Sequence, residues 1–252
     1  MTIYLPELDP NSLAFPAIEQ ALSQPNGLLA FGGDLSVARL CLAYDSGIFP
    51  WFSEADPYLW WSPDPRCVIT YDRYHCNKTF RKWLRKHHYT VTINHAFATV
   101  LSICATIPRP NIQHADGSQS ENGTWITPEM QHSYRALHAH GRAHSIEVWE
   151  GQQLVGGLYG VSAKGVFCGE SMFHLQPNTS KLAFYTLIQY CKNMGIAFID
   201  CQLQNPYLQS LGAFEIPREE YLSMLDASTL NTLATDIWQP CDLTYILTSQ
   251  GI

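Results

Sequence analysis

Between Ala143 and Gln202 the chain alternates apolar and polar positions in three short runs, then shifts to a helical period, then alternates again. His144–Trp149, Leu154–Val161 and Val166–Phe173 read as β-strands, because a two-residue period gives each strand one consistent inner face. Glu150-Gly151-Gln152 and Ala163-Lys164-Gly165 between them are short Gly-containing turns, which predicts an antiparallel meander. From about Ser180 the apolar residues Leu182, Ala183, Leu187 and Cys191 follow a helical spacing that Gly195 closes. Ile196–Asp200 then returns as a fourth strand. Alternation assigns Val166, Cys168, Glu170 and Met172 to one side of the third strand, and Ile196, Phe198, Asp200 and Gln202 to one side of the fourth. The opposite faces, Phe167 with Phe173 and Ala197 with Ile199 and Cys201, are apolar too, so both strands are predicted to be covered on both sides. A carboxylate in such a layer is costly unless it is paired, hydrogen-bonded or faces a wet pocket. Glu170 and Asp200 are therefore candidate functional acids; the plainer alternative is a structural acid holding an amide or an arginine.

The rest of the chain supports this block. Past Pro25-Asn26-Gly27, either Asp34 or Ser36 is placed to cap a helix ending near Gly47. Phe49, Trp51, Phe52, Tyr58, Trp60 and Trp61 crowd a proline-broken segment too short to bury them alone. They either pack onto the larger part of the chain or form a stacking platform for a nucleobase. A helix over about Lys78–His88, a strand over Tyr89–Ile93 and a helix over about His95–Thr106 follow. The polar stretch 109–123 reads as a mobile surface loop. Thr127 caps the next helix with Pro128 at its first position, and Trp125 stands just outside that cap. A last helix is predicted near Tyr221–Ala234, followed by Trp238 and a final strand or tail.

At 252 residues, with 46% apolar and 15% charged content, the chain suits a folded protein of one or two domains. A net charge of −7 argues against nucleic-acid binding by bulk charge. Local charge differs: Arg73, Lys78, Arg81, Lys82, Arg85 and Lys86 hold 6 of the 15 basic residues within 14 positions, which by itself reads first as a solvated helix face, though a polyanion could dock there. The eight cysteines have no Cys-x-x-Cys spacing, the start of the chain has no signal-like core, and no run is long enough to span a bilayer. A cytoplasmic protein is expected. His138, His140 and His144 do not have zinc-site spacing, no Walker loop or dinucleotide fingerprint is present, and Gly-Leu-Tyr-Gly lacks a nucleophile serine.

Several stretches, in order, resemble the bacterial leucyl/phenylalanyl-tRNA–protein transferases. They are Asn26–Ser36, Gly47–Phe52, Trp60–Arg66, Gly123–Thr127, His144–Trp149, Leu154–Gly160, Gly169–Phe173, Ser180-Lys181, Asp200-Cys201-Gln202 and Ser210–Ala213. The resemblance implies an α+β fold with two domains. Residues 1–66 would form a small N-terminal α/β domain that lends aromatic residues to the donor site. Residues 67–252 would form a catalytic domain like the N-acetyltransferases (GNAT), with a mixed, mostly antiparallel sheet. His174–Thr179 occupies the place of the GNAT pyrophosphate loop but contains no glycine, so coenzyme A is not expected, nor any other cofactor or metal.

The implied activity moves Leu, Phe or Met from aminoacyl-tRNA onto proteins that start with Arg or Lys, marking them for N-terminus-dependent degradation. By the same resemblance Asp200 and Gln202 sit at the reacting amine, and Glu170 holds the amino group of the donor. Leu158, Met172, Phe184 and Ile199 line the side-chain pocket, while Trp51 and Trp125 take the terminal adenosine. Lys78, Arg81, Lys82, Arg85 and Lys86 would meet acceptor-stem phosphates. Tyr207 stands where relatives carry a histidine. A monomer is expected. The competing readings are a small-molecule N-acetyltransferase, a non-catalytic tRNA- or protein-binding module, and a tRNA-dependent peptidoglycan transferase.

Overall fold

The computed structural model describes residues 4–107, 125–228 and 237–249. The polar stretch 109–123 and the end of the last expected helix, 229–234, lie outside the described residues. The first part of the chain makes a four-stranded sheet from β1 (Glu7–Leu8), β2 (Leu28–Gly32), β3 (Phe49–Pro50) and β4 (Leu59–Trp61) in the order β1-β2-β4-β3. Helix α1 (Val37–Asp45) lies between β2 and β3, and Ser36 caps it by accepting the Arg39 amide. Asp34, the other candidate cap, accepts the Ser36 amide and pairs with Arg39.

The remainder builds an eight-stranded sheet. In chain order its elements are β5 (Arg66–Ile69), α2 (Lys78–Leu84), β6 (Thr90–Ile93), α3 (Phe97–Thr106) and α4 (Pro128–Ala139). The meander is β7 (Ala143–Glu150), β8 (Gln153–Ala163) and β9 (Val166–His174), followed by α5 (Thr179–Met194) and β10 (Ile199–Gln202). Then come α6 (Pro206–Ser210), β11 (Phe214–Ile216), α7 (Arg218–Ser228), β12 (Cys241–Asp242) and α8 (Tyr245–Ser249). The strand order is β11-β5-β10-β9-β8-β7-β6-β12; β9 and β10 are parallel and the other pairs antiparallel. The architecture is α+β with two mixed sheets.

Each face of the large sheet is covered, as the apolar runs require. On one side α1, α3, α4, α7 and the small sheet share a cluster that includes Leu40, Leu101, Leu137, Trp60, Tyr221 and Val161. On the other, α5 buries Leu182, Leu187 and Ile188 against Ile146, Val148 and Phe167. Burying such side chains contributes about 1.5–3 kcal/mol each, which is why the helical stripe and the strands find one another. The predicted caps form: the Thr127 hydroxyl accepts the Met130 amide, and Gly195 ends α5 with φ of 77°.

Four sequence expectations change. Helix α2 stops at Leu84 rather than His88, because the rings of Trp83, His87 and Tyr89 stack and turn the chain into β6. Ile196 lies outside the ladder: its amide closes α5 on the Cys191 carbonyl, and β10 starts at Ile199. The last helix begins earlier, at Arg218, and is described as far as Ser228. The face assignment of β9 breaks at a bulge. Tyr159 pairs with Ser171 but Gly160 pairs with Gly169, so Glu170 is one residue too many. Beyond it the faces exchange, and Phe173, not Met172, shares the side of Cys168.

A second bulge falls on the neighbouring strand. Asp200 pairs with Val68 and Gln202 with Cys67, leaving Cys201 extra and Gln202 at φ of 62°. The β9 bulge needs Gly160, since a Cβ there would lie 2.2 Å from the Cys168 carbonyl oxygen. Gly160→Ala should therefore cost about 1–3 kcal/mol by overpacking, a melting temperature lower by about 2–12 °C for a chain of this size. Differential scanning calorimetry checks this, and an unchanged melting temperature would show that the bulge does not depend on the missing side chain.

Candidate active site

The two bulges sit side by side where β9 and β10 stop pairing. Their parallel ladder holds only Phe167 with Ile199 and Cys168 with Asp200. Beyond it both strands border a cavity of about 590 Å³, within the range of small-ligand sites. Because the cavity lies at the gap between the strands, residues from both sheet faces reach it. Leu158, Met172, Phe184 and Ile199 come from the α5 side and make an apolar lining. Glu170 and Gln202 come from the bulges. Trp51, past β3, and Trp125, ahead of α4, add aromatic wall from outside the large sheet. The Trp61 indole N–H donates to the Trp51 carbonyl at 2.6 Å, and the two rings lie 5.5 Å apart, which fixes Trp51 in place.

Asp200 is the exception among the expected residues. It is fully buried and does not line the cavity. Its carboxylate takes a two-pronged ion pair from Arg66, with Nε at 2.9 Å and Nη2 at 2.7 Å. Tyr221 donates a third bond at 3.0 Å. Arg66 lies between the rings of Phe49 and Tyr221, 4.9 and 4.5 Å from their centroids, and donates to the Gly47 carbonyl. Asp200 touches the site at one remove. Its Oδ1 accepts the Gln202 amide at 2.9 Å, fixing the bulge, and the Gln202 side chain donates to Glu170 Oε1 at 2.8 Å. The two acids thus share a hydrogen-bonded chain rather than a cavity wall.

Glu170 has a different environment. Tyr134 donates to its Oε2 at 3.0 Å, and the Tyr134 hydroxyl is 2.5 Å from that of Tyr44. Burial pushes the Glu170 carboxyl up to about 7, against the opposing pull of Tyr44, Tyr134 and Gln202, with the nearby negative Asp200 adding to the rise. Among the described residues it is the one acid in the cavity lining. Across the cavity, Ser180 at the start of α5 and Tyr207 at the start of α6 supply polar wall. The Lys181 ammonium lies 5.9 Å from the Tyr207 ring.

The basic residues are separate from this wall. Lys78, Arg81 and Lys82 on α2, with Arg85 and Lys86 just past it, are all exposed. Among the described residues none of them forms an ion pair. Helix α2 packs through Phe80 onto Tyr185 of α5, next to cavity-lining Phe184. The histidine trio does not converge: His138 stacks on Phe97, while His144 stacks on Trp238 and contacts Asn94 and Ser162. Burial holds the His144 ring far below its ordinary range, at about 3.

Sequence reasoning missed Arg66, Tyr221, Tyr44 and Tyr134. Arg66 stood in a quoted motif, but nothing local pairs it with an acid 134 positions away. The tyrosines lie on three separate helices, and nothing local links any of them to either acid.

Comparison with known proteins gives a consistent result. The family model described as leucyl/phenylalanyl-tRNA protein transferase matches residues 68–226, and that of its N-terminal domain matches residues 33–64. A protein of Colwellia psychrerythraea named leucyl/phenylalanyl-tRNA–protein transferase is 48% identical over 95% of this chain and 98% of its own length. Those of Pseudoalteromonas translucida and Tolumonas auensis, with the same name, are each 50% identical over 95% and 97% of this chain and 97% and 100% of theirs. A solved structure described as L-PGS from Bacillus licheniformis aligns with 81% of this chain and 63% of that one at 12% identity, with a TM-score of 0.37 from which no shared fold follows. The chain belongs to the leucyl/phenylalanyl-tRNA–protein transferase family and is a transferase.

Proposed function

We propose that the protein moves Leu, Phe or Met from aminoacyl-tRNA to the α-amine of proteins beginning with Arg or Lys, marking them for N-terminus-dependent degradation in the cytoplasm. One observation carries the reading: a single cavity joins an apolar lining, two tryptophans and an amide–carboxylate pair. Those are the parts needed to hold an apolar amino acid, its adenosine and an amine. The large domain, 67–252, is read as GNAT-like, with residues 1–66 lending it Trp51; the protein works as a monomer. No described helix is long and apolar enough to cross a membrane.

The donor ester is already activated, so the site has to position and desolvate rather than spend ATP. Leu158, Met172, Phe184 and Ile199 receive the amino-acid side chain, and the flexible thioether of Met172 suits several apolar shapes. Selection against branched or smaller side chains rests on fit, at about 1–3 kcal/mol. Trp51 and Trp125 stack on the adenine. Glu170 attracts the donor amino group, and Gln202 orients the attacking amine of the acceptor. Holding amine and ester carbonyl together supplies about 7–11 kcal/mol at most. A free α-amine, with a pKa of about 7.7–8.0, is partly neutral at cellular pH and needs only a weak proton acceptor. Asp200 acts through Gln202, so loss of activity in Asp200→Asn would mix lost stability with lost chemistry.

Radiolabelled Leu-tRNA offered to an Arg-starting and a Met-starting protein should label the first alone; equal labelling, or none, rejects the reading. Trp51→Ala should raise the KM for Phe-tRNA or a minimal aminoacyl-adenosine about fivefold or more, since base stacking on an aromatic ring contributes about 1–3 kcal/mol. An unaltered KM removes its stacking role. Charge reversal at Lys82 and Arg85 should weaken use of tRNA most at low salt while sparing aminoacyl-adenosine. Equal effects on both donors would return α2 to plain surface.

A further inference from the structure

Two tyrosines behind the cavity have no part in packing that phenylalanine could not fill. Tyr44 on α1 and Tyr134 on α4 are both buried in the apolar cluster on one side of the large sheet. A hydroxyl there is costly unless it is bonded. The bonds given to these hydroxyls among the described residues run from Tyr44 to Tyr134 and from Tyr134 to Glu170 Oε2. They end on Glu170 of the cavity wall, whose other oxygen accepts from the Gln202 side chain.

We infer that Tyr134, backed by Tyr44, is a positioning residue of the transfer reaction: it clamps one oxygen of Glu170 so that the carboxylate stays ionised and faces the amino group of the donor. This rests on the function proposed above. The chain runs from the small N-terminal unit through α4 to β9, so the packing of α1 on α4 is read out at the donor site.

The electrostatics agree with the geometry. Burial raises the Glu170 carboxyl to about 7, and Tyr44, Tyr134 and Gln202 oppose that rise. Removing one donor takes away support for the charged form, so the pKa moves up and a larger fraction is neutral at pH 7. The other ionisable groups facing this carboxyl are Asp200 from β10, which raises it, and Cys168 from its own strand, while Tyr159 of β8 packs edge-on to Tyr134. Arg66 of β5 neutralises Asp200 from behind.

The test compares the full-length wild type, Tyr134→Phe and Tyr44→Phe with two donors. One is phenylalanyl-adenosine; the other is 3-phenylpropionyl-adenosine, which lacks the α-amine. Tyr134→Phe should lower kcat/KM for the first about tenfold, chiefly through KM, and leave the second within about twofold. These are order-of-magnitude expectations for one hydrogen bond to a charged group. The acid limb of the first donor's pH profile should move upward, and Tyr44→Phe should do the same to a smaller extent. An equal loss with both donors, at an unmoved pH profile, would make the tyrosines mere packing and overturn the inference. Infrared titration of the Glu170 carboxylate, identified by its loss in Glu170→Gln, reads the clamp without activity. An upward shift in Tyr134→Phe supports the inference and an unmoved titration overturns it. Should Tyr134→Phe fail to fold, Tyr44→Phe decides by the same titration. If wild type gives no amide with either donor, the proposed reaction fails, while the titration still judges the clamp.

Discussion

The buried pair between Arg66 and Asp200 is the contact on which the rest of the site is built. It costs a great deal to take both charges out of water, and a two-pronged geometry with further hydrogen bonds offsets that cost. Arg66 meets Asp200 twice, the Gly47 carbonyl once and two aromatic faces, and Asp200 also binds Tyr221 and the Gln202 amide. Four regions of the chain converge there: the segment before β3, β5, β10 and α7. Gln202 can hold its left-handed turn because Asp200 takes its amide, and the turn in turn aims the side chain at Glu170.

Two acids on adjacent strands have thereby been given opposite tasks by their surroundings. Asp200 meets a guanidinium and is locked into the scaffold. Glu170 meets only neutral donors and a neighbouring negative charge, and burial raises it to the middle of the physiological range. One acid is tied to the scaffold by a guanidinium and the other lines the cavity. The division follows from which side chains each bulge presents, not from the acids themselves.

Much of this was readable in the chain. The meander was legible because alternation and Gly-containing turns agree, and Ser36, Thr127 and Gly195 marked helix ends by their own chemistry. Six apolar and aromatic residues expected around the donor do line one cavity. What stayed hidden was of two kinds. A bulge inserts one residue without altering the local pattern, so Met172 was assigned to the side of Glu170 when the extra residue turns it to the α5 face. Partnerships across long separations, such as Arg66 with Asp200 and Tyr44 with Tyr134, leave no periodic trace. The plainer reading of Asp200, an acid holding an arginine, describes its observed surroundings.

The same long separations govern when the site can exist. Arg66 waits for a partner 134 positions later, and Tyr221 must follow before that acid has its full set of bonds. Contacts of this span form late, after loop-closure entropy has been overcome. A growing chain that has not passed residue 221 therefore lacks the Tyr221 hydroxyl that completes the bonds of Asp200. The Asp200 end of the chain of bonds that runs through Gln202 to Glu170 is thus complete only once β5, β10 and α7 have met.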